Sequence, residues 1–279
     1  MDDEAVIISG TRELAAFLRA AAGAPRGTAL LCDIDGTISP IAPRPADAAV
    51  PGPFLDVLRE LIARLGLVAF VTGRALEDAR RLVPLEGATY VGTHGLETRT
   101  PDGHRYTEPQ AEPFVAAIQE VAAAAARDLD CERLGVVLEN KRTVLAVHYR
   151  LARDAAATRH EILTRVVEPA RARGLAIGSG HFAVEVRPPV PFSKGTAVRR
   201  LLDGGPYLNA LACGDDLTDV TAFAAVRAWS AGDGRRRGCA LAAVTAETPR
   251  PVVDEADVLV RATPGVYAAL SRLLSAVGG

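Results

Sequence analysis

Three things are scarce in this sequence, and each scarcity removes a class of protein. Basic residues are not in excess: 32 Lys and Arg stand against 34 Asp and Glu, a formal charge of −2. A nucleic-acid-binding chain shows a basic footprint, so no nucleic-acid partner is expected. No apolar run reaches the ~18 residues of a membrane span, so no membrane partner is expected. The four cysteines, Cys32, Cys131, Cys213 and Cys239, are far apart and form no C-x-x-C pair. With no signal-like N-terminus, they are expected to be reduced thiols in a cytoplasmic protein. Cys32 and Cys213 read as small buried hydrophobes at strand ends. There is no sequence repeat and no low-complexity tail. What is present is ordinary for a globular chain: 279 residues, 49% hydrophobic and 24% charged, enough for one large domain or one domain plus a smaller one.

One stretch organises the rest, Ala29-Leu30-Leu31-Cys32-Asp33-Ile34-Asp35-Gly36-Thr37. An uncharged apolar run between Gly27 and Gly36 reads as a buried parallel strand. It empties into two carboxylates at the edge where open α/β sheets bind ligands. An amphipathic helix over Thr11–Ala22 precedes it, and the proline-rich segment Ser39–Pro45 after it cannot be regular structure. A helix over Pro53–Leu65, a strand over Gly66–Val71, a helix over Leu76–Leu82 and a strand near Thr89–Val91 follow. Such alternation predicts a doubly wound parallel-sheet (Rossmann-like) α/β core.

The pattern then changes. A polar hairpin over Thr98–Thr107 turns at Pro101-Asp102-Gly103, and an Ala-rich helix runs from Pro113 to Leu129. Strands over Gly135–Glu139 and Thr143–Tyr149 flank the turn Asn140-Lys141-Arg142. A helix over Ala155–Arg173 and a hairpin of Leu175–Ile177 with Ala183–Val186 complete this block. It reads as an inserted α/β module at 101–183 within a core formed by 1–100 and 184–279. The parallel pattern returns with a helix from Lys194 to about Leu202 and a strand over Tyr207–Cys213. Strands at Cys239–Val244 and Val258–Val260 and a helix over Val266–Leu274 close the chain.

Four separated signals meet at one predicted sheet edge: Asp33 with Asp35, Thr72, Lys194, and Asp215 with Asp219. A strand-end carboxylate two residues before a second suits attack on phosphorus, with Asp33 forming an aspartyl phosphate. Asp35 then protonates the leaving oxygen and activates the hydrolytic water. Charge on the phosphoryl oxygens has to be neutralised, and Thr72, Lys194 and loop amides can do so. Mg²⁺ takes hard oxygen ligands, for which Asp33, Asp215 and the Asp35 carbonyl suffice. An Asp at each of these positions can also be a turn or helix-cap residue, and Asp219 can equally brace its own loop.

The ordered set Asp33-Ile34-Asp35-Gly36-Thr37, Thr72-Gly73-Arg74, Lys194-Gly195 and Gly214-Asp215-Asp216 resembles the four motifs of the haloacid dehalogenase superfamily of phosphatases. Further stretches narrow the match. Gly92-Thr93-His94-Gly95, Glu139-Asn140-Lys141, His148-Tyr149-Arg150, Glu185-Val186-Arg187-Pro188 and Gly214 to Asp219 are similar to the trehalose-6-phosphate phosphatase family. The resemblance runs from about Leu30 to Phe223, and it implies that the insert is a mobile cap closing over a sugar. It implies Asp33 and Asp35 as catalytic residues, Thr72, Gly73 and Lys194 as phosphate holders, and Asp33, Asp35 and Asp215 on Mg²⁺. It implies Asp216 and Asp219 as supports of the metal loop. Glu139, Lys141 and Glu185 match positions that hold sugar hydroxyls, and Arg74, His94, His148, Arg150 and Arg187 match as well. An Arg within a strand can instead pair with Glu139 or Glu185 across the sheet.

The sequence departs from the family at four places. Thr72 stands for the usual Ser, Thr93 for Asn, and Val220-Thr221 for a Glu-Asp pair, which removes negative charge near the metal loop. The arginine-rich turn Gly234–Gly238 reads as a solvated loop. The resulting expectation is a Mg²⁺-dependent phosphatase acting on a small-molecule sugar phosphate, trehalose 6-phosphate. The alternatives are another sugar or cyclitol phosphate, a phosphomutase, or a non-catalytic sensor. No glycosyltransferase is fused within the sequence, so the substrate is expected from a separate one.

Overall fold

The computed structural model describes residues 6–42, 47–180 and 182–278. Its strands are β1 (Ile7–Ser9), β2 (Thr28–Cys32), β3 (Leu67–Val71), β4 (Thr89–Gly92), β5 (Glu97–Arg99), β6 (Arg105–Thr107), β7 (Val137–Asn140), β8 (Leu145–His148), β9 (Ala176–Gly180), β10 (Ala183–Arg187), β11 (Asn209–Gly214), β12 (Arg237–Val244) and β13 (Val258–Arg261). Its helices are α1 (Thr11–Gly23), α2 (Gly52–Arg64), α3 (Leu76–Leu82), α4 (Val115–Asp128), α5 (Cys131–Leu134), α6 (Ala155–Ile162), α7 (Glu168–Ala172), α8 (Lys194–Asp203), α9 (Asp219–Ala231), α10 (Arg250–Glu255) and α11 (Ala262–Val277). A π-helical turn at Leu163–Val167 joins α6 to α7. The expected irregular segment after Ser39 is described as far as Ala42; Pro43, Arg44 and Pro45 lie outside the described residues.

Two compact units form, residues 1–105 with 192–279, and residues 106–191. A sheet in the order β1-β13-β12-β11-β2-β3-β4-β5-β6 runs through the larger unit, whose last residue before the insert, Arg105, is the first of β6. Its centre is parallel from β13 through β4, while β1 and β5 are antiparallel to their neighbours. The expected parallel sheet is thus extended by antiparallel edges. Strand β1 has only three residues and β5–β6 is the polar hairpin, neither long enough to read as sheet on its own.

Burial on both faces explains why β2 is an unbroken apolar run. Leu30 and Cys32 pack with α1, α2 and α11 in one core, whereas Ala29 and Leu31 pack with α8 and α9 in the other. Each fully buried Leu or Phe contributes about 1.5–3 kcal/mol. The chain winds outward from β2 to β3 and β4, then resumes on the other flank of β2 at β11. The carboxyl ends of β2 and β11 therefore form the topological switch point of the sheet.

The smaller unit is a sheet in the order β7-β8-β10-β9, antiparallel throughout. One face packs Leu145, Val147, Val184 and Val186 against α4, α6 and the π turn. The expected boundaries of the insert shift accordingly, from 101–183 to 106–191. Strand β10 pairs with β8 and β9, so Glu185 belongs to the smaller unit instead of the returning core.

Candidate active site

In the larger unit, the Asp33 amide donates to the Cys213 carbonyl at 2.9 Å, which carries the β2–β11 ladder one residue past the strand. The carboxylates of Asp33, Asp215 and Asp219 converge there, each offering an oxygen within 4.8 Å of the others. Gly36 has φ +77°, and a Cβ on it would run into the Asp215 carboxylate. Only glycine meets both demands, which accounts for the Gly after Asp35. Thr37 Oγ1 donates to Asp215 Oδ1 at 3.2 Å across the same gap.

Lys194 opens α8 behind a capping box made by Ser193 and Thr196. Its buried Nζ lies 2.8 Å from Asp33 Oδ1 and 2.9 Å from Asp219 Oδ1. The other Asp219 oxygen accepts the amides of Asp215 and Asp216 at 3.1 and 3.2 Å. Asp219 is therefore fully engaged within the loop and braces it. Asp216 Oδ1 accepts from Thr218 N and Oγ1 at 2.8 and 2.6 Å, tightening the same turn. Thr221, one of the departures from the family, accepts the Gly195 amide at 3.0 Å and donates to the Thr218 carbonyl at 2.8 Å. Its hydroxyl thus ties the first turn of α8 to the loop.

One ammonium among three carboxylates leaves negative charge in excess. Burial pushes Asp33 up to about 7, against the pull of Lys194 and with the help of Asp215. Burial, Asp219 and Asp216 push Asp215 up to about 7, and burial pushes Asp219 up to about 7 against the pull of Lys194. For Lys194, burial is outweighed by Asp33 and Asp219, which hold it protonated well above its ordinary range. Desolvation wins for the acids and Coulomb attraction wins for the base. A divalent cation on hard oxygen donors would remove the excess, so the donor set fits Mg²⁺.

Thr72 and Gly73 follow β3, the neighbour of β2. The Thr72 hydroxyl accepts the Arg74 amide at 3.2 Å. Arg74 Nε and Nη2 donate to Asp35 Oδ2 and Oδ1, each at 2.6 Å. Arg74, placed on a sugar by resemblance, thus grips the second carboxylate of the motif as a bidentate fork. After β4, Thr93 and His94 both adopt left-handed φ, +51° and +55°. A β-branched residue there is strained. The His94 ring lies directly against Gly73, where a Cβ would collide with it.

In the smaller unit, Glu139, Ala146, Glu185 and Gly178 are register partners in one row across the sheet. His148 lies one row away on the same face, opposite the core-facing side chains. Glu139 Oε2 meets His148 Nε2 at 3.0 Å and Lys141 Nζ at 3.5 Å. Burial would raise the Glu139 carboxyl, but the His148 hydrogen bond and the Lys141 charge outweigh it and hold it below the usual range. The side chain of Arg187 lies beside Gly178, as that of Glu185 does. Arg150 follows β8 in an exposed turn, and among the described residues no ion pair joins it to this cluster.

The sequence reading missed helix α9, the Arg74–Asp35 fork, and the Thr37 and Thr221 hydroxyl bonds. Only α9 left a local trace, an apolar run directly after Asp219.

A doubly wound sheet that gathers Asp33, Asp35, Lys194 and Asp215 at its switch point is the arrangement that the resemblance to the haloacid dehalogenase motifs implies. A solved trehalose-6-phosphate phosphatase related protein shares the fold, with a TM-score of 0.71 and 22% identity over 88% of this chain and 97% of that one. The chain belongs to the trehalose-phosphatase family, whose model matches residues 31–245. It is 37% identical to the trehalose-phosphate phosphatase of Mycobacterium marinum over 80% of this chain and 60% of the relative. It is 38% identical to a protein named as an uncharacterized glycosyl hydrolase of Mycobacterium tuberculosis over 72% of this chain and 15% of the relative. The chain thus spans less than two thirds of the length of these two curated relatives. Among the described residues no helix is long and apolar enough to cross a membrane.

Proposed function

We propose that the chain is a Mg²⁺-dependent phosphatase that hydrolyses trehalose 6-phosphate through an aspartyl phosphate on Asp33. The observation that carries this reading is the buried Asp33 carboxylate, bound to Lys194 beside Asp215 at the switch point of a trehalose-phosphatase fold. Asp33 attacks phosphorus, the bond from phosphorus to the sugar oxygen breaks, and Asp35 gives that oxygen its proton. Asp35, now ionised, takes a proton from water; the water oxygen attacks phosphorus, phosphate leaves, and Asp33 is restored. Arg74 occupies both Asp35 oxygens in the resting site, so this role of Asp35 requires Arg74 to release one of them, which then carries the proton. Lys194 and Thr72 donate to the phosphoryl oxygens. Asp33 and Asp215, with the Asp35 carbonyl, would hold Mg²⁺, which when bound offsets charge on the phosphoryl group. Asp216 and Asp219 shape the loop that carries Asp215. In this reading a glycosyltransferase supplies the substrate and the chain acts in the cytoplasm.

The smaller unit acts as the cap that reads the sugar. Glu139, Lys141 and Glu185 suit hydroxyls, which both donate and accept. Losing one such contact leaves a buried polar group unpaired, at a cost of about 1–3 kcal/mol. Glu139→Ala, Lys141→Ala and Glu185→Ala should each lower kcat/KM on trehalose 6-phosphate by roughly ten- to a hundredfold. Hydrolysis of p-nitrophenyl phosphate, which has no sugar, should fall by less than about threefold. Equal losses on both substrates would mean that these residues only support the fold.

A further inference from the structure

Lys141 sits in a four-residue reversal between β7 and β8, and such turns are ordinarily mobile. This one is held by side chains from outside the turn as well as within it. Gln119, on α4 and far from the turn in sequence, exchanges two amide hydrogen bonds with Asn140, each at 2.9 Å. The same Gln119 Nε2 donates to the Arg142 carbonyl at 2.7 Å. Asn140 Oδ1 also accepts the Arg142 amide at 2.9 Å, and Arg142 adopts φ +68°, a left-handed conformation. The Arg142 guanidinium then donates to Thr107 Oγ1 at 2.6 Å and to Glu112 Oε1 at 3.3 Å. Both residues that flank Lys141 are therefore fastened, one on each side, by a single glutamine. The backbone of Lys141 closes the turn itself, with its amide on the Val144 carbonyl and its carbonyl on the Thr143 amide, both at 2.8 Å.

We infer that Gln119 is a positioning residue for sugar recognition, locking the Asn140–Arg142 turn so that Lys141 is presented beside Glu139. The inference rests on the reading of Lys141 as a sugar-binding residue. It gives Asn140, the middle member of Glu139-Asn140-Lys141, a function that no contact with ligand requires. Nothing else in α4 accounts for a glutamine at this position. The buried residues of that helix are Ile118, Val121, Ala122 and Ala125, and Gln119 lies beside that stripe with both ends of its amide on the turn. A preorganised turn spares the ligand the entropy of ordering Lys141, an effect that falls on binding and not on phosphoryl transfer.

The test is steady-state kinetics on the full chain with Mg²⁺ and trehalose 6-phosphate, using Gln119→Ala, Asn140→Ala, Lys141→Ala and the double variant Gln119→Ala/Lys141→Ala. Gln119→Ala should raise KM by about five- to tenfold while kcat stays within about twofold. Asn140→Ala, which opens the same clasp from the other side, should give a rise of similar size and serves if Gln119→Ala does not fold. In the Lys141→Ala background the Gln119→Ala effect should vanish, because an anchor without its cargo has nothing to position. If Lys141→Ala lowers kcat/KM but Gln119→Ala leaves KM unchanged, or its effect simply multiplies with that of Lys141→Ala, the inference is overturned and the sugar-binding reading stands. If Lys141→Ala itself leaves kcat/KM unchanged, the sugar-binding reading of Lys141 fails and the inference falls with it.

Discussion

Asp33→Asn is expected to lower kcat by on the order of 10⁴-fold or more while the protein still folds. The substitution preserves volume and shape but removes the negative charge that makes the oxygen a nucleophile, and no neighbouring carboxylate can replace it. Asp35 is gripped by Arg74, and Asp219 is spent on Lys194 and two amides. Asp215 lies across the cluster on the adjacent strand end. The fold should tolerate the change because Asp33 is one of three crowded acids that burial pushes up to about 7. A neutral amide relieves that crowding, and Lys194 keeps Asp219 at 2.9 Å. Without divalent ions the variant should therefore melt at or above the wild-type temperature. A variant that retains turnover within about tenfold of wild type would rule out Asp33 as the nucleophile.

Lys194→Met should be damaging on two counts, activity and stability. The methionine fills similar volume but leaves Asp33 and Asp219 buried without their cation. Breaking a buried pair by removing one partner costs about 3–5 kcal/mol. Loss of the positive charge on the phosphoryl group should lower kcat by a further factor of about 10²–10³. The stability defect has a definite pH signature. In the wild type, Asp33, Asp215 and Asp219 are pushed up to about 7, above the ~3.9 of an unfolded aspartate. The stability that such groups contribute is fully present below about pH 4 and is lost as pH rises through about 7. Lys194 is raised from its ordinary range, so it remains charged and its contribution is constant across this window. The ion-free wild type should therefore melt lower near pH 8 than near pH 5, and the variant should lose more over the same interval. Melting temperatures that stay flat with pH in both proteins would contradict the crowded-carboxylate account.

How far the sequence carries the structure depends on the distance over which each feature is encoded. Strand β2 is legible because burial on both faces demands an uncharged run, and the carboxylates that end it break that run abruptly. Helix α3 matches its expected bounds, Leu76 to Leu82, because periodic Leu and Ala positions and flanking turns fix it locally. Helix α9 is less legible, since its apolar residues run nearly all round it and give no clear stripe. Strand β1 has three residues and draws its place from pairing with β13, more than 240 positions away. At the site, the residue types at the sheet edge carry local motif signals, while their partners do not. The Arg74–Asp35 fork spans 39 positions and the Thr37–Asp215 bond 178, and no periodicity encodes either. The end of the insert is illegible for the same reason. The pairing of β10 with β8, which assigns it to the smaller sheet, is a property of register and not of composition.

Phosphate release from a panel of sugar phosphates, measured with Mg²⁺ and again in chelator, tests the central claim most directly. The account predicts that trehalose 6-phosphate is hydrolysed with a kcat/KM at least about tenfold above glucose 6-phosphate and other monosaccharide phosphates, and that chelator abolishes release until Mg²⁺ is restored. A wide preference for a different sugar phosphate, or undiminished release in chelator, would contradict it.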